Sequence, residues 1–266
     1  MVREFEHKNE WAIILGGSSG LGLATAKKLV KHGLNICILH RDRKSDMSRI
    51  EDDFEIIRNE NVQLLAFNVD ALHTEKRAHV ISELKENLGS TGKIRVFVHS
   101  IAKGNLKPMV AEDESAQLKN DDFSLTINAM AISLYDWVKA LFTAKLFADD
   151  TRVISFTSEG NRKVWQNYAA VSAAKVTLEA ITRNIALEFA PHGIKANCIQ
   201  AGVTDTNSFQ RIPGNEAIKN HILKTNPFKR LTTPEDVANV VYLLSKDEAK
   251  WINGSIIPVD GGEHIV

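Results

Sequence analysis

Cysteine is scarce in this sequence: Cys37 and Cys198 are the only two among 266 residues. Both lie in apolar, strand-like runs without metal-ligand neighbours. That pattern reads as buried free thiols and excludes a disulfide scaffold or a zinc site. No apolar run reaches the ~18 residues of a membrane span. The first ten residues are polar and charged, unlike a signal peptide. Charge of one sign is also missing, because 33 basic residues balance 33 acidic ones. No global field therefore favours nucleic acid or an anionic membrane. No stretch is dominated by Pro, Gly or Ser, and there is no charge block or internal repeat, so no linker divides the chain. These absences lead to the expectation of a cytoplasmic globular protein with no metal, no nucleic acid and no membrane as partner.

What is present is an alternation. Short β-rich runs are expected at Trp11–Leu15, Asn35–His40, Gln63–Asn68, Val96–His99, Arg152–Phe156, Lys195–Ile199 and Ile256–Val259. Helices are expected at Gly22–Lys31, Lys44–Arg58, Thr74–Leu88, Phe123–Leu146, Tyr168–Phe189 and Pro234–Leu244. The last opens on Thr233-Pro234-Glu235-Asp236, with Pro in the first turn and acids near the N-terminus. Almost continuously apolar strands alternating with helices imply a parallel sheet covered on both faces. The expected fold is one α/β domain over residues 1–266, a Rossmann-type doubly wound sheet with helices on both faces. The stretch from about 203 to 230 shows no clear element and reads as a substrate-binding lid.

The first strand runs into Gly16-Gly17-Ser18-Ser19-Gly20-Leu21-Gly22, and a helix follows. Glycines permit a tight turn and close approach of a pyrophosphate to backbone N–H groups, and the helix N-terminus adds favourable partial charge. The spacing is Gly-x3-Gly-x-Gly. A bare glycine-rich turn is the alternative, but its place between a strand and an Ala-rich helix favours dinucleotide binding. The second strand ends Leu39-His40-Arg41-Asp42-Arg43-Lys44. An acid there holds the 2′-hydroxyl of NAD, whereas a 2′-phosphate needs basic residues. His40 stands where the acid is expected, and Arg41 is suited to stack on adenine and bind phosphate. NADPH is expected, with NADH the less favoured alternative. An Asp42 carboxylate aimed at the ribose would weaken that preference.

Tyr168 and Lys175 are separated by six residues in Tyr-Ala-Ala-Val-Ser-Ala-Ala-Lys. Seven helical steps make about 700° of rotation, close to two full turns, which would put both on one face. A phenol with a pKa of about 10 is a poor acid at neutral pH unless a cation stabilises its phenolate. A lysine on the same face could be that cation.

The glycine loop, this pair and the C-terminal Val259-Asp260-Gly261-Gly262 together resemble the short-chain dehydrogenase/reductase family over essentially the whole chain. Ile127-Asn128-Ala129 and Pro234-Glu235-Asp236-Val237-Ala238 also match. Three departures narrow the resemblance. Most members have Tyr-x3-Lys, but Val171 occupies the position four before Lys175 and carries no acidic hydrogen. His99-Ser100-Ile101-Ala102 replaces the usual Asn-Asn-Ala-Gly. Ala201-Gly202 replaces Pro-Gly. In these features the chain looks like the bacterial enoyl-acyl-carrier-protein reductases, especially their NADPH-using branch. The NADH-dependent branch has a second tyrosine ten residues before the first, where this chain has Ser158.

The resemblance implies hydride delivery from NADPH to the β-carbon of a trans-2-enoyl thioester, with Tyr168 hydrogen-bonding the thioester oxygen or donating a proton to it. It implies that Lys175 holds the nicotinamide ribose and lowers the phenol pKa. Ser158 would orient substrate or phenol, and Asn128 would support the lysine through water. The cofactor site would comprise Gly16, Ser18, Ser19, Gly20, Leu21, Gly22, His40, Arg41, Asn68, Val69, Ser100, Ile101, Ala102, Ala201, Gly202, Val203 and Thr206 besides Lys175. Most members have Asp at position 68. Acyl carrier protein as the substrate's carrier and a homotetramer or dimer are further implications. Trp165, Phe209 and Ile212 suit an acyl pocket or plain core. Lys219, Lys224, Lys229 and Arg230, near the expected lid, suit a solvated basic face, with contact to an acidic carrier protein as the less favoured alternative. Two alternatives stay open: a carbonyl reductase acting on a 3-oxoacyl thioester or another ketone, and a non-catalytic dinucleotide-binding regulator.

Overall fold

The computed structural model describes residues 2–266. Seven parallel strands form one sheet in the order β3-β2-β1-β4-β5-β6-β7. They are β1 Glu10–Leu15, β2 Asn35–His40, β3 Leu64–Asn68, β4 Lys93–His99, β5 Phe147–Ser158, β6 Ile194–Ala201 and β7 Ile256–Val259. The helices are α1 Gly20–Val30, α2 Met47–Arg58, α3 Thr74–Leu88, α4 Asn120–Ile127, α5 Ser133–Thr143, α6 Ala169–Glu188, α7 Asn207–Gln210, α8 Asn215–Thr225 and α9 Pro234–Ser245. This is the doubly wound α/β architecture that the alternation implied.

Side-chain alternation along each strand feeds two cores. Ala12 and Ile14 of β1 pack with Leu29 of α1, Phe54 of α2 and Val241 of α9. Trp11, Ile13 and Leu15 pack on the other face with Leu84 of α3, Trp137 of α5 and Leu178 of α6. Each fully buried Leu or Ile is worth about 1.5–3 kcal/mol of apolar transfer, so both faces must be covered. The start of α9 is fixed by a capping box, in which Thr233 Oγ1 accepts from Asp236 N at 3.2 Å and Asp236 Oδ2 accepts from Thr233 N at 2.9 Å.

The structure corrects three expected elements. The middle helix is not continuous: a π-helical turn, Asn128–Ile132, separates α4 from α5. The Ser133 hydroxyl donates to Ala129 O at 2.8 Å and also bonds His99 Nε2 at 2.7 Å. Such a side-chain bond competes with the helical ladder. The 203–230 stretch is not irregular, because it contains α7 and α8. Thr206 caps α7 by accepting from Phe209 N, and Ile218 and Ile222 form an i, i+4 stripe on α8. Finally, Tyr168 lies outside its helix: it is the N-cap of α6, with φ −111 and ψ 1.

Candidate active site

Strand pairing brings Leu15, His40, Asn68, His99, Ser158, Ala201 and Val259 to the C-terminal edge of the sheet. The chain winds outward from β1 through β2 to β3, then returns to place β4 on the other side of β1. That reversal opens the crevice where such folds bind ligands. The glycine loop lies there. Gly16 has φ +78 and donates to Leu39 O at 2.8 Å. A Cβ on Gly16 would stand 2.5 Å from Ser100 O, and one on Gly22 would stand 2.2 Å from Gly16 O. Ser19 is extended, and no side chain caps α1. The unmet N–H groups of a helix start suit an anion. Thr206 approaches the same loop: a Cβ on Gly20 would lie 3.5 Å from Thr206 Cγ2. Leu21, Val69 and Ile101 face the cores, and Ala102 is exposed. These residues fit a dinucleotide pyrophosphate.

The end of β2 differs from the expected basic subsite. Asp42 Oδ2 accepts from Ser18 Oγ at 2.6 Å and lies 2.8 Å from His40 Nδ1. Its backbone exchanges two bonds with the Asn68 side chain, each 3.1 Å. Arg41 is drawn to Asp70 at 2.5 Å. Asp42 therefore sits against the glycine loop, and Arg41 is paired with Asp70.

Ser158 ends β5 and Tyr168 caps α6. The Tyr168 carbonyl accepts from Ser172 N at 2.8 Å, so the helical pitch starts at the phenol and Lys175 follows two turns later. Gly160 makes room for the ring: a Cβ there would lie 2.4 Å from Tyr168 Cε1. Leu106 and Val171 pack beside the same ring. Burial raises the phenol pKa above its ordinary 10, and the nearby Ser158 hydroxyl partly opposes that. The Ser158 Oγ is buried without a protein hydrogen-bond partner. Lys175 is the cation that the resemblance implies for the phenol. It is buried and donates to Phe156 O at 2.7 Å. Burial lowers its pKa to about 8, with Cys198 and Glu179 opposing. Asn128 opens the π turn and is exposed. His99 is buried, and burial together with the Lys175 charge pushes its pKa down to about 3, so it is a neutral packing group.

A family model described as "Enoyl-(Acyl carrier protein) reductase" matches residues 16–264. The chain belongs to the short-chain dehydrogenase/reductase family. Within this family it is 25% identical to a 3-oxoacyl-[acyl-carrier-protein] reductase of Chlamydia muridarum, over 96% of this chain and 97% of that one. It is 28% identical to an enoyl-[acyl-carrier-protein] reductase [NADH] of Bacillus cereus, over 78% of each. The solved enoyl-[acyl-carrier-protein] reductase (NADH) of Aquifex aeolicus superposes with a TM-score of 0.84 at 25% identity, covering 98% of both chains. The chain is thus an oxidoreductase of a nicotinamide-using family.

Three site residues escaped the sequence reading. Gly160 is one glycine among 15, and its need appears only against the Tyr168 ring. Glu179 is buried at the position four after Lys175, a helical spacing that could have drawn notice. Glu263, near the C-terminus, accepts from Val203 N with both carboxylate oxygens at 3.1 Å. Trp165, Val203 and Ile212 join Phe209, Ile218 and Ile222 in a small apolar cluster beneath α7 and α8. Of the basic residues there, Lys219 pairs with Asp205 and Arg230 with Asp236.

Proposed function

We propose that this protein reduces the carbon–carbon double bond of trans-2-enoyl thioesters, carried on acyl carrier protein, in fatty-acid synthesis. The observation that carries the reading is the Tyr168–Lys175 arrangement. One phenol caps α6, seven residues before a buried lysine, with the unpartnered Ser158 hydroxyl beside it and only Val171 at the commoner tyrosine position. A reduced nicotinamide cofactor held against the glycine loop would supply hydride to the substrate β-carbon. Charge would then develop on the thioester oxygen. Tyr168, kept protonated by its raised pKa, donates a hydrogen bond and then its proton to that oxygen. Ser158 supplies a second donor or orients the phenol. Lys175 exchanges its Phe156 O bond for the ribose hydroxyls of the cofactor and is mostly cationic at neutral pH. Asn128, exposed at the π turn, serves that lysine only through water. Thr206 and the backbone near Val203 hold the carboxamide.

NADPH is the proposed cofactor, by a narrow margin over NADH. The Arg41–Asp70 pair is exposed, and such pairs are worth under ~1 kcal/mol, so Arg41 can be released to a 2′-phosphate. The Asp42 carboxylate is already held by Ser18 and His40, but it still repels that phosphate. Asp42→Ala should raise the kcat/KM ratio for NADPH over NADH by about tenfold, one close charge pair at a partly exposed site. A ratio unchanged or lowered would place the ribose elsewhere. Partly exposed Ile132 and Tyr135 on the π turn and α5, and Val176 and Leu187 on α6, support a homotetramer or dimer through these helices. The cytoplasm is the proposed location.

The alternative reading is a 3-oxoacyl thioester reductase, favoured by the Chlamydia muridarum relative. Loss of NADPH absorbance with crotonyl thioester compared with acetoacetyl thioester separates the two. Turnover of the acetoacetyl compound alone would establish the alternative.

A further inference from the structure

Glu179 has no part in the roles assigned above. It lies on α6 one turn beyond Lys175, on the same helix face, and is 7% exposed. Its Oε1 accepts from Thr157 Oγ1 at 2.5 Å and from Asn161 Nδ2. Thr157 is in β5, and Asn161 belongs to the short turn Glu159–Asn161 that follows it. Ser158 stands between the two. One helical turn earlier, Lys175 grips Phe156 O of the same segment. Two successive turns of α6 therefore hold the strand end and the turn that carry Ser158. That turn also includes Gly160, against which the Tyr168 ring rests. A buried carboxylate is costly to desolvate, and an apolar side chain would fill the position without that cost. Among the described residues, the titratable groups facing Lys175 are Glu179 on its own helix, Cys198 from β6 and His99 from β4. Burial raises the pKa of the Cys198 thiol and lowers that of the His99 ring, and Glu179 is the carboxyl group among the three.

We propose that Glu179 is a positioning residue: it anchors the Thr157–Asn161 segment so that Ser158 and Tyr168 keep a common geometry, and it is the counter-charge to Lys175 on the same helix face. The inference rests on the reading of Tyr168, Ser158 and Lys175 as the working groups. Two variants separate the two halves of the role. Glu179→Gln keeps an acceptor for Thr157 and Asn161 and removes the charge. Asn161→Ala removes one anchor and keeps the charge.

The test is the dissociation constant for NADPH, read by fluorescence from about pH 6 to about pH 10, with kcat and melting temperature measured beside it. In the wild type, affinity should fall as pH rises through about 8, where Lys175 loses its proton. Glu179→Gln should move that fall to lower pH by about half a unit or more. Asn161→Ala should leave it in place and lower kcat about tenfold with KM little changed. A fall in Glu179→Gln that superposes on the wild type, or effects confined to melting temperature in both variants, would overturn the proposal. The binding curve decides the charge role whatever the substrate. If only acetoacetyl thioester is turned over, enoyl reduction fails while the Asn161→Ala comparison proceeds on that compound.

Discussion

At Tyr168, burial and the nearby Ser158 hydroxyl pull the phenol pKa in opposite directions, and burial prevails. In the proposed reaction the phenol would therefore serve as a proton donor. Tyr168→Phe keeps the ring against Gly160 and removes only the hydroxyl. Turnover should fall by about 10²–10⁴-fold, the range for a general acid, while the NADPH dissociation constant stays put. Equal turnover in the variant would remove Tyr168 from the chemistry. The pair and the glycine loop were legible because spacing along one strand–helix junction carries them. The contacts of Asp42 and Glu179 were not. Their partners lie in other elements, at Ser18 and Asn68 for Asp42 and at Thr157 and Asn161 for Glu179, so the local sequence does not show what either side chain holds.

Among the elements, the junction between β5 and α6 leaves no room for a side chain beside the phenol. Gly160→Ala would drive a methyl group into the Tyr168 ring and displace the phenol by a fraction of an ångström or more. About a 10²-fold loss of kcat is expected, without loss of cofactor affinity. A second junction joins the C-terminal turn to the loop after β6 through Glu263 and Val203 N. Burial raises the Glu263 pKa from 4.5 to about 7. The folded state then holds a proton that the unfolded chain releases, so stability from this group is full below about pH 4.5 and lost as pH rises through about 7. Glu263→Gln should accordingly melt higher than wild type at about pH 8, with the gain shrinking as the pH is lowered toward about 4.5. A gain independent of pH would assign the effect to packing. The helices of the 203–230 segment were hidden from the sequence reading because α7 has only four residues and α8 follows Pro213-Gly214 closely. The π turn was hidden because its cause, the Ser133–His99 bond, spans 34 residues.

For the whole molecule, the parallel pairing follows from the alternation, whereas the strand order appears only in the structure. Apolar strands separated by helices must form parallel pairs, and the return of the chain to β4 beside β1 fixes one crevice at the C-terminal edge. Everything proposed for function meets at that edge: the glycine loop from β1, Asp42 after β2, Ser158 from β5, and Tyr168 and Lys175 on α6. The fold serves ketone and enoyl reduction equally well, and relatives of both kinds resemble this chain. What distinguishes the reactions is the carbon that receives the hydride. Crotonyl thioester reduced with NADPH deuterated at the transferring position reports it directly. The expected product is butyryl thioester carrying deuterium at C3. Unchanged crotonyl thioester, alongside acetoacetyl thioester converted to a hydroxybutyryl product with deuterium at its carbinol carbon, would contradict the enoyl reading.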